Sequence, residues 1–268
     1  MNTDKTATAM EKTLELAPPE RVIPLKVTQA GHVYRLRHVL RPPAAADWFA
    51  YEAALEPTVE ELNDDAGEPC YRLRVRSTDA AAALWERLIA RVDGYGEVSG
   101  RDWRALIPLA HKEAAVGALT LVAPATRASA SPDGFYPLAV NEVPVALEAV
   151  VGGVAYPRLV HVFQTPTVEA ERAYRRLLAE TLTVRGGRDG ATRTLIPARL
   201  PALVRLYDSL ILRAEGYSVD GKPSTSLGVN SLRDFMDAWH KRIAVQALFG
   251  GLTAETPAAA PPPAEERP

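Results

Sequence analysis

The sequence predicts an α+β protein made of two tandem homologous domains, and three repeated phrases predict it. LWERLIARVDGY (84–95) returns as LYDSLILRAEGY (206–217), with six of the twelve positions identical. YRLRHVLRPPAAADWFAYEAAL (34–55) lies over PRLVHVFQTPTVEAERAYRRLL (157–178) at an offset of 123 residues. HKEAAVGAL (111–119) lies over HKRIAVQAL (240–248) at 129. Three blocks in one order at a nearly constant offset read as an internal duplication. The expected layout is a repeat at 20–123, a linker at 124–134 and a second repeat at 135–252, the repeats related by a pseudo-twofold. The linker contains ATRASASPDG, whose small residues and turn formers suit a connection. Residues 1–19 are polar and aperiodic, and 253–268 form an Ala/Pro-rich tail; both ends are expected to be unfolded.

Each repeat is expected to run β-β-α-β-β-α-α. PLKVTQAGHVYRLRHVL carries two apolar-rich runs about a Gln-Ala-Gly turn, the pattern of a hairpin. Pro43 and Pro166 then stop a strand and open a helix. VEELNDDAGEPCYRLRVRS and LTVRGGRDGATRTLIP each place a glycine-bearing turn between strand-like flanks, so a second hairpin is expected in each repeat. Ala81, Leu84, Trp85, Leu88, Ile89 and Val92 recur at the spacing of one helical face, as do Leu203, Leu206, Tyr207, Leu210, Ile211 and Ala214. On that spacing the repeated phrase is a core helix. Gly94 and Gly216 would be its left-handed stops, and Tyr95 and Tyr217 apolar partners folding back on the last turn. A final helix carries the His-Lys pairs. In the second repeat it presents the stripe Leu232, Phe235, Met236, Trp239, Ile243 and Ala247, with Lys241 directed towards water.

Composition bounds function loosely. The 268 residues are 47% hydrophobic and 24% charged, with a formal net charge of −2, ordinary values for a soluble globular protein. That balance gives no whole-chain attraction to nucleic acid or anionic membrane. Cys70 is the sole cysteine, which excludes an intramolecular disulfide and a cysteine-based zinc site and suits a reducing cytoplasm. The apolar run VPVALEAVVGGVA (143–155), broken by Pro144, Glu148 and Gly152–Gly153, falls short of the ~20 residues a spanning helix needs. The first twenty residues lack the apolar core of a secretory signal, so a cytoplasmic location is expected.

Candidates for chemistry are few. His38/His161 and His111/His240 fall in matched pairs, and neutral imidazoles are common metal ligands. No HExxH or other ligand spacing accompanies them, which favours a structural part. There is no GxSxG, and VRGGRDGATR (184–193) has neither P-loop nor dinucleotide-turn order, so no cofactor is expected. The sharper contrast is one of charge. EPTVEELNDDAGEP (56–69) holds six acids, among them Glu60, Glu61, Asp64 and Asp65. The equivalent TVRGGRDGATRTLIPAR (183–199) holds Arg185, Arg188, Arg193 and Arg199. An acidic tip of one chain meeting the basic tip of the next would be a heterologous contact, building a ring or filament.

The opening of each repeat, RHVLRPPAAADWFAYEAAL and VHVFQTPTVEAERAYRRLL, resembles bacteriophage and prophage tail-region proteins, including tail-assembly chaperones. The resemblance spans about twenty residues per repeat. It implies an assembly-stage or virion-associated protein with protein partners and no catalytic residues. The leading expectation is therefore a non-enzymatic structural or assembly protein that binds partners or itself through charged hairpins. The alternative is a metal-binding or hydrolytic enzyme with the paired histidines at the interface between repeats. Nucleic-acid binding through the four arginines would be steeply salt-dependent, but no broader basic stripe supports it.

Overall fold

The computed structural model of the chain describes residues 12–29, 31–55, 58–63, 69–74, 77–96, 102–125, 141–179, 182–186, 191–195 and 199–250. Within them the chain is a mixed α+β protein of small sheets with helices packed against them. Leu14–Glu15 (β1) comes first. Arg21–Gln29 (β2) and His32–Leu40 (β3) pair antiparallel from Arg21↔Leu40 to Gln29↔His32, as the alternating apolar runs require. Beyond Pro42–Pro43, Ala45–Ala54 (α1) begins on an acidic brace. Asp47 accepts the Ala44 N–H at 2.9 Å and the Arg41 guanidinium at 2.7 and 3.0 Å. Thr58–Asn63 (β4) and Pro69–Arg74 (β5) form the expected second hairpin. Ser77–Leu88 (α2), Ile89–Asp93 (β6), Trp103–Leu106 (α3) and Leu109–Leu119 (α4) complete this half, whose main sheet runs β2-β3-β6.

The second half passes through a similar order of elements. Val122–Pro124 (β7) leads to the hairpin Glu142–Val151 (β8) and Val154–Gln164 (β9), then to Val168–Ala179 (α5). Leu182–Gly186 (β10) and Ala191–Leu195 (β11) form another hairpin before Leu200–Leu210 (α6) and Ile211–Glu215 (β12). Tyr217–Val219 (β13), Lys222–Pro223 (β14), a 3₁₀ turn at Ser224–Ser226, Val229–Phe235 (α7) and Ala238–Phe249 (α8) follow. The larger sheet runs β12-β9-β8-β7.

The repeated phrase is not one helix. α2 and α6 end at Leu88 and Leu210, and the next five residues of each are the strands β6 and β12. A bulge explains why the pattern looked helical. β6 pairs Leu40↔Ile89 and then Val39↔Arg91, so the register slips by one residue. β12 slips in the same way, Ile211↔Phe163 followed by Arg213↔Val162. One extra residue turns the strand's two-residue period into a three-residue step, so Ile89/Val92 and Ile211/Ala214 keep one face. Gly94 and Gly216 follow strands rather than helices. Both have left-handed φ (+88° and +84°), and a Cβ would stand 2.7 Å from the Arg35 carbonyl oxygen or 2.4 Å from that of Arg158. Only glycine lets the chain cross its neighbouring strand so closely.

Two further expectations need correction. The N-terminal segment is folded from about residue 13. β1 pairs parallel with β13, and Leu14 and Leu16, 2% and 5% exposed, enter the core of the second half. The stripe from Leu232 to Ala247 belongs to two helices, broken at Met236–Asp237, where the Asp237 carboxylate caps α8 by accepting the Trp239 N–H at 2.8 Å. The expected linker lies almost wholly outside the described residues, and β7, at the end of the first expected repeat, joins the sheet of the second.

The halves share their packing. Leu200, Val204 and Ala238 join the first core beside Trp48, Leu84, Trp85 and Leu88. Trp48 is buried between them, donating Nε1–H to Asp237 at 3.2 Å with its ring 5.2 Å from that of Trp239. Glu52, on α1, accepts the Leu200 N–H at the start of α6 and meets Arg242 at 3.4 Å. Among the described residues no helix is long and apolar enough to cross a membrane.

Candidate functional site

The four matched histidines form two hydrogen-bonded chains, one inside each half. His38 stands on β3 and His111 on α4, and the hydroxyl of Tyr95, just after Gly94, lies 2.8 Å from His38 Nε2 and 2.9 Å from His111 Nδ1. His161 stands on β9 and His240 on α8, and the hydroxyl of Tyr217, just after Gly216, lies 2.8 Å from His161 Nε2 and 3.0 Å from His240 Nδ1. The left-handed glycine is what turns each tyrosine back beneath the sheet. The tyrosines thus act through their polar ends rather than as apolar helix stops.

The far nitrogen of each strand histidine separates the two chains chemically. In the first half, Trp85 Nε1–H donates to His38 Nδ1 at 2.9 Å. An indole can only donate, so a neutral His38 carries its proton on Nε2 and donates it to the Tyr95 hydroxyl, which leaves that hydroxyl's proton free to be donated to His111 Nδ1. The proton of His38 is thereby fixed on Nε2. In the second half Tyr207 replaces Trp85, and its hydroxyl lies 2.8 Å from His161 Nδ1. A hydroxyl donates or accepts, so the chain Tyr207–His161–Tyr217–His240 can hold its protons in either direction.

Burial keeps His38, His161, His240 and the three tyrosines neutral. Desolvation first, and then the neighbouring imidazole, hold His38 down at about 4 and His161 at about 3. His240 sits at about 4, again through desolvation; nearby Asp237 opposes the shift and the positive field of Arg21 adds to it. Tyr95 is pushed up to about 12 by burial, and Tyr207 and Tyr217 are raised well above their ordinary range. A buried lysine paired with a partly exposed acid sits beside each chain. Lys112 binds Glu86 and lies over the Trp85 ring at 4.7 Å. Lys241 binds Asp208 at 2.7 Å and the Arg233 carbonyl at 2.6 Å, 5.6 Å from the Tyr207 ring centre. Lys241 is 5% exposed, so it does not reach for water as expected. Its charge is turned inward onto an acid that the sequence supplies in both halves, Glu86 and Asp208.

Each histidine pair lies within one half, not at the interface between halves, and a tyrosine hydroxyl stands between its members. No group of three or more His, Cys, Asp or Glu side chains among the described residues could hold a metal ion. The first chain reaches the surface, since Tyr95 also lines a cavity of about 540 Å³ with Arg91, Trp103 and Leu106; the second is sealed.

The charged hairpins are placed by backbone register. Glu60 of β4 stands opposite Arg72 of β5, and Glu61 opposite Tyr71. Arg185 of β10 stands opposite Thr192, and Arg193 of β11 opposite Val184. Asp64, Asp65 and Arg188 lie outside the described residues, and Cys70 falls on β5. Sequence reasoning passed over the hydroxyl role of Tyr95 and Tyr217. A signal for it was present: the tyrosines recur with both histidines, and the Trp85/Tyr207 exchange keeps a hydrogen-bond donor. No family model, curated protein or solved structure matches the chain.

Proposed function

We propose that the chain is a tandem duplication of one α+β unit that serves as a non-enzymatic structural or assembly protein. In this reading it is of the bacteriophage or prophage tail-region kind and binds protein partners, or further copies of itself, through its charged hairpins. The observation that carries the reading is the use made of the histidines. All four are committed to internal ties between a strand, a tyrosine and a C-terminal helix, and three are held neutral. Duplication is supported by equivalent contacts at equivalent places: the ties, the glycine crossings, the bulges and the Lys–acid pairs.

The hairpins are where the halves differ in charge. Backbone register favours the basic hairpin as the reaching one, since Glu60 has Arg72 as its register partner in the first hairpin while Arg185 and Arg193 have Thr192 and Val184 in the second. An acidic protein surface is its natural complement, with charge setting encounter rate and register more than affinity. Sedimentation velocity of the wild type and an Arg185→Glu, Arg188→Glu, Arg193→Glu variant, across a salt series, tests this. The wild type is expected to form larger species that shrink as salt rises, and the variant to stay monomeric. Identical sedimentation of the two would refute self-association through this hairpin.

A further inference from the structure

Arg21 opens β2 at the junction of the halves, 8% exposed, and among the described residues its Nε is buried without a hydrogen-bond partner and no acid pairs with it. A buried guanidinium N–H without a partner is costly, and folded proteins ordinarily give it an acid or a carbonyl. Here it borders a cavity of about 490 Å³ formed by both halves. The volume suits a small molecule, and junctions between packed units are common places for such sites.

The other charges of the cavity do not answer Arg21. Asp208 is committed to Lys241, and Asp237 takes the Trp239 N–H and the Trp48 indole. Asp234 is exposed at the rim. Arg233 adds a second guanidinium whose Nε is buried without a partner, and Arg205 a third cation, exposed. Leu16, Phe49, Val204 and Met236 supply an apolar wall, and Phe235, 42% exposed, stands at the mouth.

We infer that this cavity binds a small organic anion, an apolar body carrying a carboxylate or phosphoryl group, with Arg21 as its principal anchor and Arg233 beside it. The planar fork of Arg21 fits either group through paired N–H donors, and the apolar wall takes the body. The site is separate from the histidine chains yet touches one of them electrically. Arg21 contributes to the field at His240, so an anion on the guanidinium reduces that field.

Calorimetric titration of the full chain with benzoate, phenyl phosphate and benzylamine tests the site. At least one of the two anions is expected to bind, and the amine of the same shape is not. Arg21→Met should weaken binding by about tenfold or more while the free protein melts no lower than wild type, because an unanswered charge has been removed. Ala45→Trp, an exposed position that fills the cavity from the α1 side, should also abolish binding and checks the location without touching the core. Absence of binding by both anions at millimolar concentration would overturn the proposal. So would binding unchanged in Arg21→Met, benzylamine binding as tightly as the anions, or a lowered melting temperature of Arg21→Met, which would mean that the guanidinium is already satisfied.

Discussion

Removing the Tyr217 hydroxyl strands two buried imidazole nitrogens at once, His161 Nε2 and His240 Nδ1. Each unsatisfied buried polar group costs about 1–3 kcal/mol, so Tyr217→Phe should lower the unfolding free energy by at least that much in urea titrations. Tyr95→Phe should cost less, because Tyr95 is half-buried and water can replace the lost hydroxyl. The same burial gives stability a pH dependence of defined sign. The folded pKa values of His38, His161 and His240 lie below the unfolded 6.5. Between those values the unfolded chain binds more protons, so their contribution is complete above about pH 6.5 and is lost as pH falls towards 4. The fully buried His161 and His240 each add a slope of up to about 1.4 kcal/mol per pH unit. Urea midpoints should fall steadily from pH 7 to pH 5; a flat profile would mean that these imidazoles are not buried neutral. At this scale the sequence showed that histidines recur in pairs. It did not show what lies between them, because a tyrosine after a glycine serves an apolar cap and a hydroxyl bridge equally well.

Among the elements, the hairpins, α1, α5 and the His-Lys helices were legible, since alternation, proline stops and helical spacing acted locally and agreed. The helix-to-strand change at Leu88–Ile89 and Leu210–Ile211 was not. A bulge placed the inward residues of β6 and β12 at a spacing that a helix also uses, and only pairing with β3 and β9 distinguishes the two. The glycines record that pairing. Gly216→Ala should cost about 1–3 kcal/mol for its backbone conformation, and more for the collision with the Arg158 carbonyl; Gly94→Ala should be milder by its longer 2.7 Å approach. Calorimetric melting of both variants checks the order. β1 was also missed, because two leucines in a polar segment form no period of their own. They bury only by adding a strand to β13, more than two hundred residues away. Deleting residues 1–16 should remove about 3–6 kcal/mol of apolar burial from Leu14 and Leu16, seen as a lower urea midpoint.

At the scale of the whole molecule, the doubled pattern of the sequence corresponds to two cores that lend each other residues. Leu200, Val204 and Ala238 fill the first core, and β7 completes the second sheet. Trp48→Ala, which empties the most buried ring at the junction, should cost about 3–5 kcal/mol. Fluorescence and circular dichroism should still report one transition, since neither core is complete without the other half. The cavity at Arg21 depends on this arrangement, while the histidine chains tie each half together from within. The most direct test is a ¹⁵N NMR titration of the imidazoles in the intact chain between pH 7.5 and 5. The account expects His38, His161 and His240 to remain neutral throughout, with the protons of His38 on Nε2. Protonation of His161 or His240 near pH 6.5 would contradict it.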